Sequence, residues 1–171
     1  MAKTTFSGPV RSLNGFINFG PKAAVSLTAT ATLTMNDHAG RTLLCNAAAG
    51  EFTLPTITTG SVGSTAGTND PNVASNLGAV YTFIVQTAFT AGEIKTDGTD
   101  LLIGYARSLM TTAATGKDWF PGGSDTTMSF DGSTTGGIVG TYVQVTATAD
   151  DEYFVDAIIK SSGTQATPFG T

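Results

Sequence analysis

Val25-Ser26-Leu27-Thr28-Ala29-Thr30-Ala31-Thr32-Leu33-Thr34-Met35 decides the fold class. Its odd positions carry Val, Leu, Ala, Ala, Leu and Met, and its even positions carry Ser and Thr. A repeat of two puts the apolar set on one face of a strand, so this stretch reads as a half-buried antiparallel or edge strand. After it, Asn36-Asp37-His38-Ala39-Gly40 supplies turn formers with room for one helical turn. Residues 41–46 and 51–55 then read as two strands around Ala47-Ala48-Ala49-Gly50, which is far too short for a stable helix.

Residues 79–87 (Ala-Val-Tyr-Thr-Phe-Ile-Val-Gln-Thr) are apolar on both faces and read as a central strand. Further strands are expected at 93–96, 101–105, 126–131, 141–147 and 153–160, about nine in all. Residues 58–78 are dense in turn formers and read as a long loop, and residues 106–125, around Trp119, show no clear period. Together with 21 Gly and abundant Thr, this pattern predicts an all-β domain over residues 22–171, a β-sandwich, jelly roll or barrel-like fold. No internal repeat is visible.

Ahead of that domain, residues 1–21 combine Gly and Pro with Phe6, Pro9, Val10, Leu13, Phe16, Ile17 and Phe19. The mixture excludes a helix yet is too apolar to sit in water. Two readings stay open: a strand on its own domain, or an extended N-terminal arm laid on another subunit, where its Phe residues would find pockets.

Charge narrows the function. Only 12% of residues are charged, with 8 Lys+Arg against 13 Asp+Glu and a net charge of −5. So few cations disfavour a run of nucleic-acid phosphates, and an anionic membrane surface for the same reason. One Cys and one His preclude a Cys/His zinc site and an internal disulfide within the chain. No apolar run approaches the roughly 20 residues of a transmembrane helix. The opening residues lack a signal-peptide pattern, so synthesis and folding in a reducing cytoplasm are expected.

Candidate chemistry is thin. Cys45 lies in an apolar strand, where a thiol is a core hydrophobe, and His38 lies in a surface turn. The run Gly132-Ser133-Thr134-Thr135-Gly136-Gly137 lacks the Lys and the following helix of a phosphate loop and reads as a hairpin connection. Asp97-Gly98-Thr99-Asp100 and Asp150-Asp151-Glu152 miss the calcium-loop spacing and read as turns. No catalytic motif, metal site or cofactor is expected, and the chain reads as a non-enzyme.

Several blocks carry a resemblance. The opening Thr5-Phe6-Ser7-Gly8-Pro9-Val10-Arg11-Ser12-Leu13-Asn14-Gly15-Phe16, and Asn36-Asp37-His38-Ala39-Gly40-Arg41-Thr42-Leu43-Leu44-Cys45-Asn46-Ala47-Ala48-Ala49-Gly50-Glu51-Phe52-Thr53-Leu54-Pro55, are two of them. The others are Asp131-Gly132-Ser133-Thr134-Thr135-Gly136-Gly137 with Gly140-Thr141-Tyr142-Val143, and Gly163-Thr164-Gln165-Ala166-Thr167-Pro168-Phe169. They resemble head decoration (capsid cement) proteins of marine tailed bacteriophages over about half of the chain. Residues 58–78 and the Trp119 region are not matched. The resemblance implies an all-β virion protein on the outer surface of the capsid, a homotrimer that binds the major capsid protein and stabilises the shell. On that reading Phe6, Pro9, Val10, Arg11, Leu13, Phe16 and Phe19 of the arm are the capsid-binding residues. The alternative is a head fibre or glycan-binding adhesin of the virion, in which the 58–78 loop and exposed Trp119, Phe120 and Tyr105 meet the host surface.

Overall fold

The computed structural model describes residues 24–58, 76–112 and 115–171. The expected arm, with Phe6, Pro9, Val10, Arg11, Leu13, Phe16 and Phe19, and residues 59–75 of the expected loop lie outside the described residues. What remains is nearly all β: two mixed sheets packed face to face as a β-sandwich.

The chain begins by alternating between the sheets. β1 (Ala24–Leu27), β3 (Thr42–Cys45) and β5 (Val80–Val85) lie side by side and parallel in a seven-stranded sheet. β2 (Ala31–Thr32), β4 (Glu51–Thr53) and β6 (Gly92–Lys95) lie parallel in a five-stranded sheet. The long alternation of residues 25–35 is therefore two short strands in opposite sheets: each is an edge strand, one of the two alternatives expected, and each pairs parallel rather than antiparallel. Leu27 and Leu33 still point inward while Ser26 and Thr28 through Thr34 on the even positions stay exposed. Period two reports which side faces the core, and it is blind to the crossing between sheets.

A single helical turn, α1 (Met35–His38), follows, and Thr34 caps it by accepting from the Asp37 N–H at 3.2 Å. Between β3 and β4, the Asn46 side chain donates to Ser26 Oγ at 2.8 Å and ties one coil to the previous one.

After β6 the pattern changes. β7 (Leu101–Met110) pairs parallel with β11 (Glu152–Ser161) and antiparallel with β8 (Gly116–Trp119). β10 (Tyr142–Ala149) fills the middle of the large sheet between β5 and β11, while β9 (Thr127–Phe130) and β12 (Phe169–Gly170) extend the small one. Two expectations are corrected here. Residues 106–125 are not irregular throughout, because they hold half of β7 and all of β8. Nor is the Gly132–Gly137 run a hairpin, since β9 and β10 belong to different sheets and this segment carries the chain across. Gly136 is required there: it has φ +80°, and a Cβ would stand 2.2 Å from Ile159 Cγ2.

Aromatic side chains join the sheets. Phe52 of the small sheet stacks on Phe83 of the large one at 6.2 Å, Phe89 lies 6.3 Å from Phe52, and Phe130 continues the chain of rings at 5.5 Å. All four are buried, each removing about 2 to 3 kcal/mol worth of apolar surface from water.

Candidate binding face

The groups with reactive potential are used structurally. Cys45 is buried at the end of β3, and burial pushes its thiol up to about 12, away from nucleophilic ionisation. His38 Nδ1 accepts the Thr34 N–H at 3.0 Å inside the helical turn. In the 97–100 turn, Asp97 Oδ1 accepts from Thr99 N–H (2.9 Å) and hydroxyl (2.7 Å), and Oδ2 accepts from Thr56 (2.5 Å). Burial alone would raise the Asp97 pKa, but these donors together hold it down at about 2. Asp131 is treated alike at the start of the sheet crossing. Burial opposes its ionisation, and donors from Thr134, Ser133 and Thr135 outweigh that and bring it to about 2. Both carboxylates close loops. Among the described residues, no group of three or more His, Cys, Asp or Glu side chains is arranged to hold a metal ion.

Asp100 is the exception to this self-sufficiency. It is fully buried, its Oδ2 accepts from the Ile57 N–H at 2.9 Å, and its Oδ1 has no hydrogen-bond partner. Burial raises its pKa, with the charges of Asp97, Asp151 and Asp150 adding to the effect. A carboxyl whose folded pKa lies above its unfolded value stabilises the fold at acid pH, and that contribution is lost as pH rises through the folded value. Asp100→Asn keeps the acceptor for Ile57 and removes the buried charge. We expect it to raise stability at pH 7.5 by on the order of 1 kcal/mol, with the gain shrinking toward zero near pH 4. Thermal unfolding of both proteins at the two pH values checks this, and a less stable variant at pH 7.5 contradicts it.

The two outer faces of the sandwich differ in kind. On the five-stranded sheet the outward residues are those of a solvated surface: Glu51, Glu93 and Ser129 in one row, Thr53, Lys95 and Thr127 in the next. Lys95 bridges Glu51 at 2.6 Å and Glu93 at 3.0 Å. On the seven-stranded sheet, the strand register aligns Leu44, Ile84, Tyr142 and Ile158 in one outward row. Four residues along, a second row runs Val80, Thr146, Phe154 and Ile103. Tyr105 lies beside Phe154, the rings meeting edge to face at 6.5 Å. Ile158 is 46% exposed, and Tyr105, Leu109 and Phe154 are exposed as well. Charged side chains also lie on this face: Glu152, Asp156 and Lys160 on β11, and Arg107 and Asp118 toward the β8 edge. Arg107 donates to both oxygens of Asp118 (2.7 and 3.2 Å), Asp156 beside Tyr105 raises the phenol's pKa, and Lys160 donates to the Val139 carbonyl.

Among the described residues, these two rows of outward-facing apolar and aromatic side chains are the feature most suited to contact with protein. At one end a shallow depression of about 360 Å³ is lined by Leu101, Ile103, Gly104, Pro121, Gly122 and Glu152. Phe120, next to it in sequence, is 70% exposed. Trp119 instead sits half-buried against the core, with the Lys117 ammonium 5.5 Å from its ring centre.

Part of this face was visible in the sequence, in the run that is apolar on both sides at residues 79–87 (Val80 and Ile84). The rest was not, because the rows exist only once β3, β10, β11 and β7 are set beside β5. The fold is a β-sandwich of two mixed sheets. No family model, no curated protein and no solved structure matches the chain.

Proposed function

We propose that this protein decorates a phage capsid, binding the major capsid protein on the outer surface of the assembled head and cementing the shell. The observation that carries this reading is the contrast between the two sheets: one outer face of Glu, Lys, Thr and Ser, and one on which rows of outward-facing apolar and aromatic side chains, Leu44, Ile84, Tyr142 and Ile158 and then Val80, Phe154 and Ile103, run across five adjacent strands. Attachment through extensive uncharged contact fits a chain with so few cations, and repetition over a lattice multiplies modest contacts into avidity. The blocks that carry the family resemblance also support it. The three that fall within the described residues lie where the chain crosses between the sheets, and two of them meet where Ala166 N–H donates to the Thr134 carbonyl at 3.0 Å. On this reading the chain is a non-enzymatic virion component, assembled as a homotrimer, and its arm supplies the capsid anchor through Phe6, Phe16 and Phe19.

A second reading, an adhesin of the virion, is favoured by one observation: Phe120 and Tyr105 are exposed near the Pro121–Gly122 depression, as a glycan platform requires. Copy number separates the two, since a cement is present in hundreds of copies per particle and an adhesin in few.

Retention on purified expanded capsids tests the arm's part. Deleting residues 1–21, or replacing Phe6, Phe16 and Phe19 by Ser in the full chain, is expected to lower bound copies at least tenfold while the thermal midpoint of the free protein is unchanged. Equal retention of both variants and the unaltered chain contradicts the anchor. A large fall in thermal midpoint assigns those residues to the protein's own core.

A further inference from the structure

We infer that the depression at the start of β7 receives a lysine or arginine side chain of the major capsid protein, with Glu152 as its counter-charge. The inference rests on the cement reading and names the chemistry of the partner at one point of contact.

The depression exists because side chains are missing there. β8 ends at Trp119, and Pro121, Gly122 and Gly123 then lie against the first residues of β7. A Cβ at Gly123 would meet nothing within 4 Å, and one at Gly122 would meet only the Asp125 carboxylate, at 3.5 Å. At about 360 Å³ the opening is near the lower end of ligand pockets, which run from about 300 to 1,000 Å³, so it has room for one long side chain.

The lining selects the chemistry. Leu101, Ile103 and Pro121 offer apolar surface, and the half-buried Glu152 brings the one polar side chain. A lysine or arginine lays its methylene stem along apolar surface and keeps its charge at the rim, which matches such a wall. A sugar calls for several placed donors and acceptors, and this lining has a single carboxylate.

Glu152 also lacks a counter-charge of its own. Its carboxylate has no ion pair or hydrogen bond among the described residues, although its backbone carbonyl accepts from Thr148. The described cations are committed elsewhere: Lys95 to Glu51 and Glu93, Arg107 to Asp118, Lys117 to the Trp119 ring, Lys160 to the Val139 carbonyl and Arg41 to the Asn36 carbonyl. Asp150 and Asp151, next in sequence, add to the negative potential. A cation brought by a partner complements this charge and fixes the register of the apolar rows beside it.

Binding isotherms of the full chain on purified expanded capsids test the inference. Retention of the unaltered chain decides the cement reading first. Glu152→Gln should then raise the dissociation constant about tenfold and Glu152→Lys about a hundredfold, with unchanged circular dichroism. Gly123→Leu, which fills the depression without altering charge, should weaken binding roughly tenfold. Glu51→Gln makes the same change of net charge on the opposite sheet and should leave binding as it was. Raising NaCl from about 0.05 to about 0.5 M should weaken the unaltered chain more than Glu152→Gln. Retention that Glu152→Lys leaves intact overturns the inference and spares the cement reading. So does a loss in Gly123→Leu with none in either Glu152 variant, which marks a neutral occupant such as a glycan. A lower thermal midpoint of free Glu152→Gln also overturns it, since a cation of the chain itself would then already meet Glu152. An unaltered chain that capsids do not retain fails the cement reading itself, and the inference with it.

Discussion

Gly104→Ala is expected to destabilise the fold severely. Gly104 lies inside β7, beside Val155 of β11, with φ +103°. A Cβ at this position would stand 2.2 Å from the Val155 carbonyl oxygen and 2.9 Å from its nitrogen. Both obstacles are backbone atoms, so no rotamer change relieves them. The positive φ alone costs an L-residue roughly 1 to 3 kcal/mol. Moving β7 away from β11 adds the loss of packing along the longest strand pair in the sandwich, which runs from Leu101 and Glu152 to Met110 and Ser161. A total on the order of 4 kcal/mol or more is a large share of a typical domain stability of about 5 to 15 kcal/mol. Urea unfolding followed by circular dichroism measures it, and a midpoint within error of the unaltered protein would show that the two strands separate at little cost.

The same stretch shows where sequence reading stopped. A strand was legible at residues 101–105 because Leu102 faces the core and Ile103 does not, yet β7 continues to Met110. Its later inward positions are Ala106 and Ser108. Small and hydroxyl residues on a buried face erase the apolar period. They are accommodated by Gln165, whose side-chain amide donates to the Ser108 carbonyl at 2.9 Å and to its hydroxyl at 3.1 Å. That partner comes from 57 positions away, and no local pattern announces it. Strands β3, β4, β5, β6, β9, β10 and β11 were legible within a residue or two, because each buries alternate large apolar side chains. The parallel pairing of β1 with β3 and of β3 with β5 was not, since sheet partners are set by how the chain winds between layers. For the same reason Leu44, Tyr142 and Ile158 do not read as one surface until the register aligns them.

The cementing role carries the second large expected effect. A protein that binds the assembled lattice and not its separated subunits stabilises the lattice by mass action, by roughly 3 to 4 kcal/mol per site when present at 100 to 1,000 times its dissociation constant. Over a shell of many sites this should raise the temperature of shell opening by several degrees. Replacing His38 or Cys45 by Ala should leave the rise in place, since one caps a helical turn and the other packs in the core away from any partner. The most direct measurement is the temperature of genome release from otherwise identical particles with and without the bound protein, followed by dye access to the DNA during heating. A higher release temperature in the decorated particles, returning to the undecorated value when the protein is stripped, is the result expected of a cement. Equal release temperatures in the two populations would contradict that role and leave the adhesin reading as the better account of the exposed Phe120 and Tyr105.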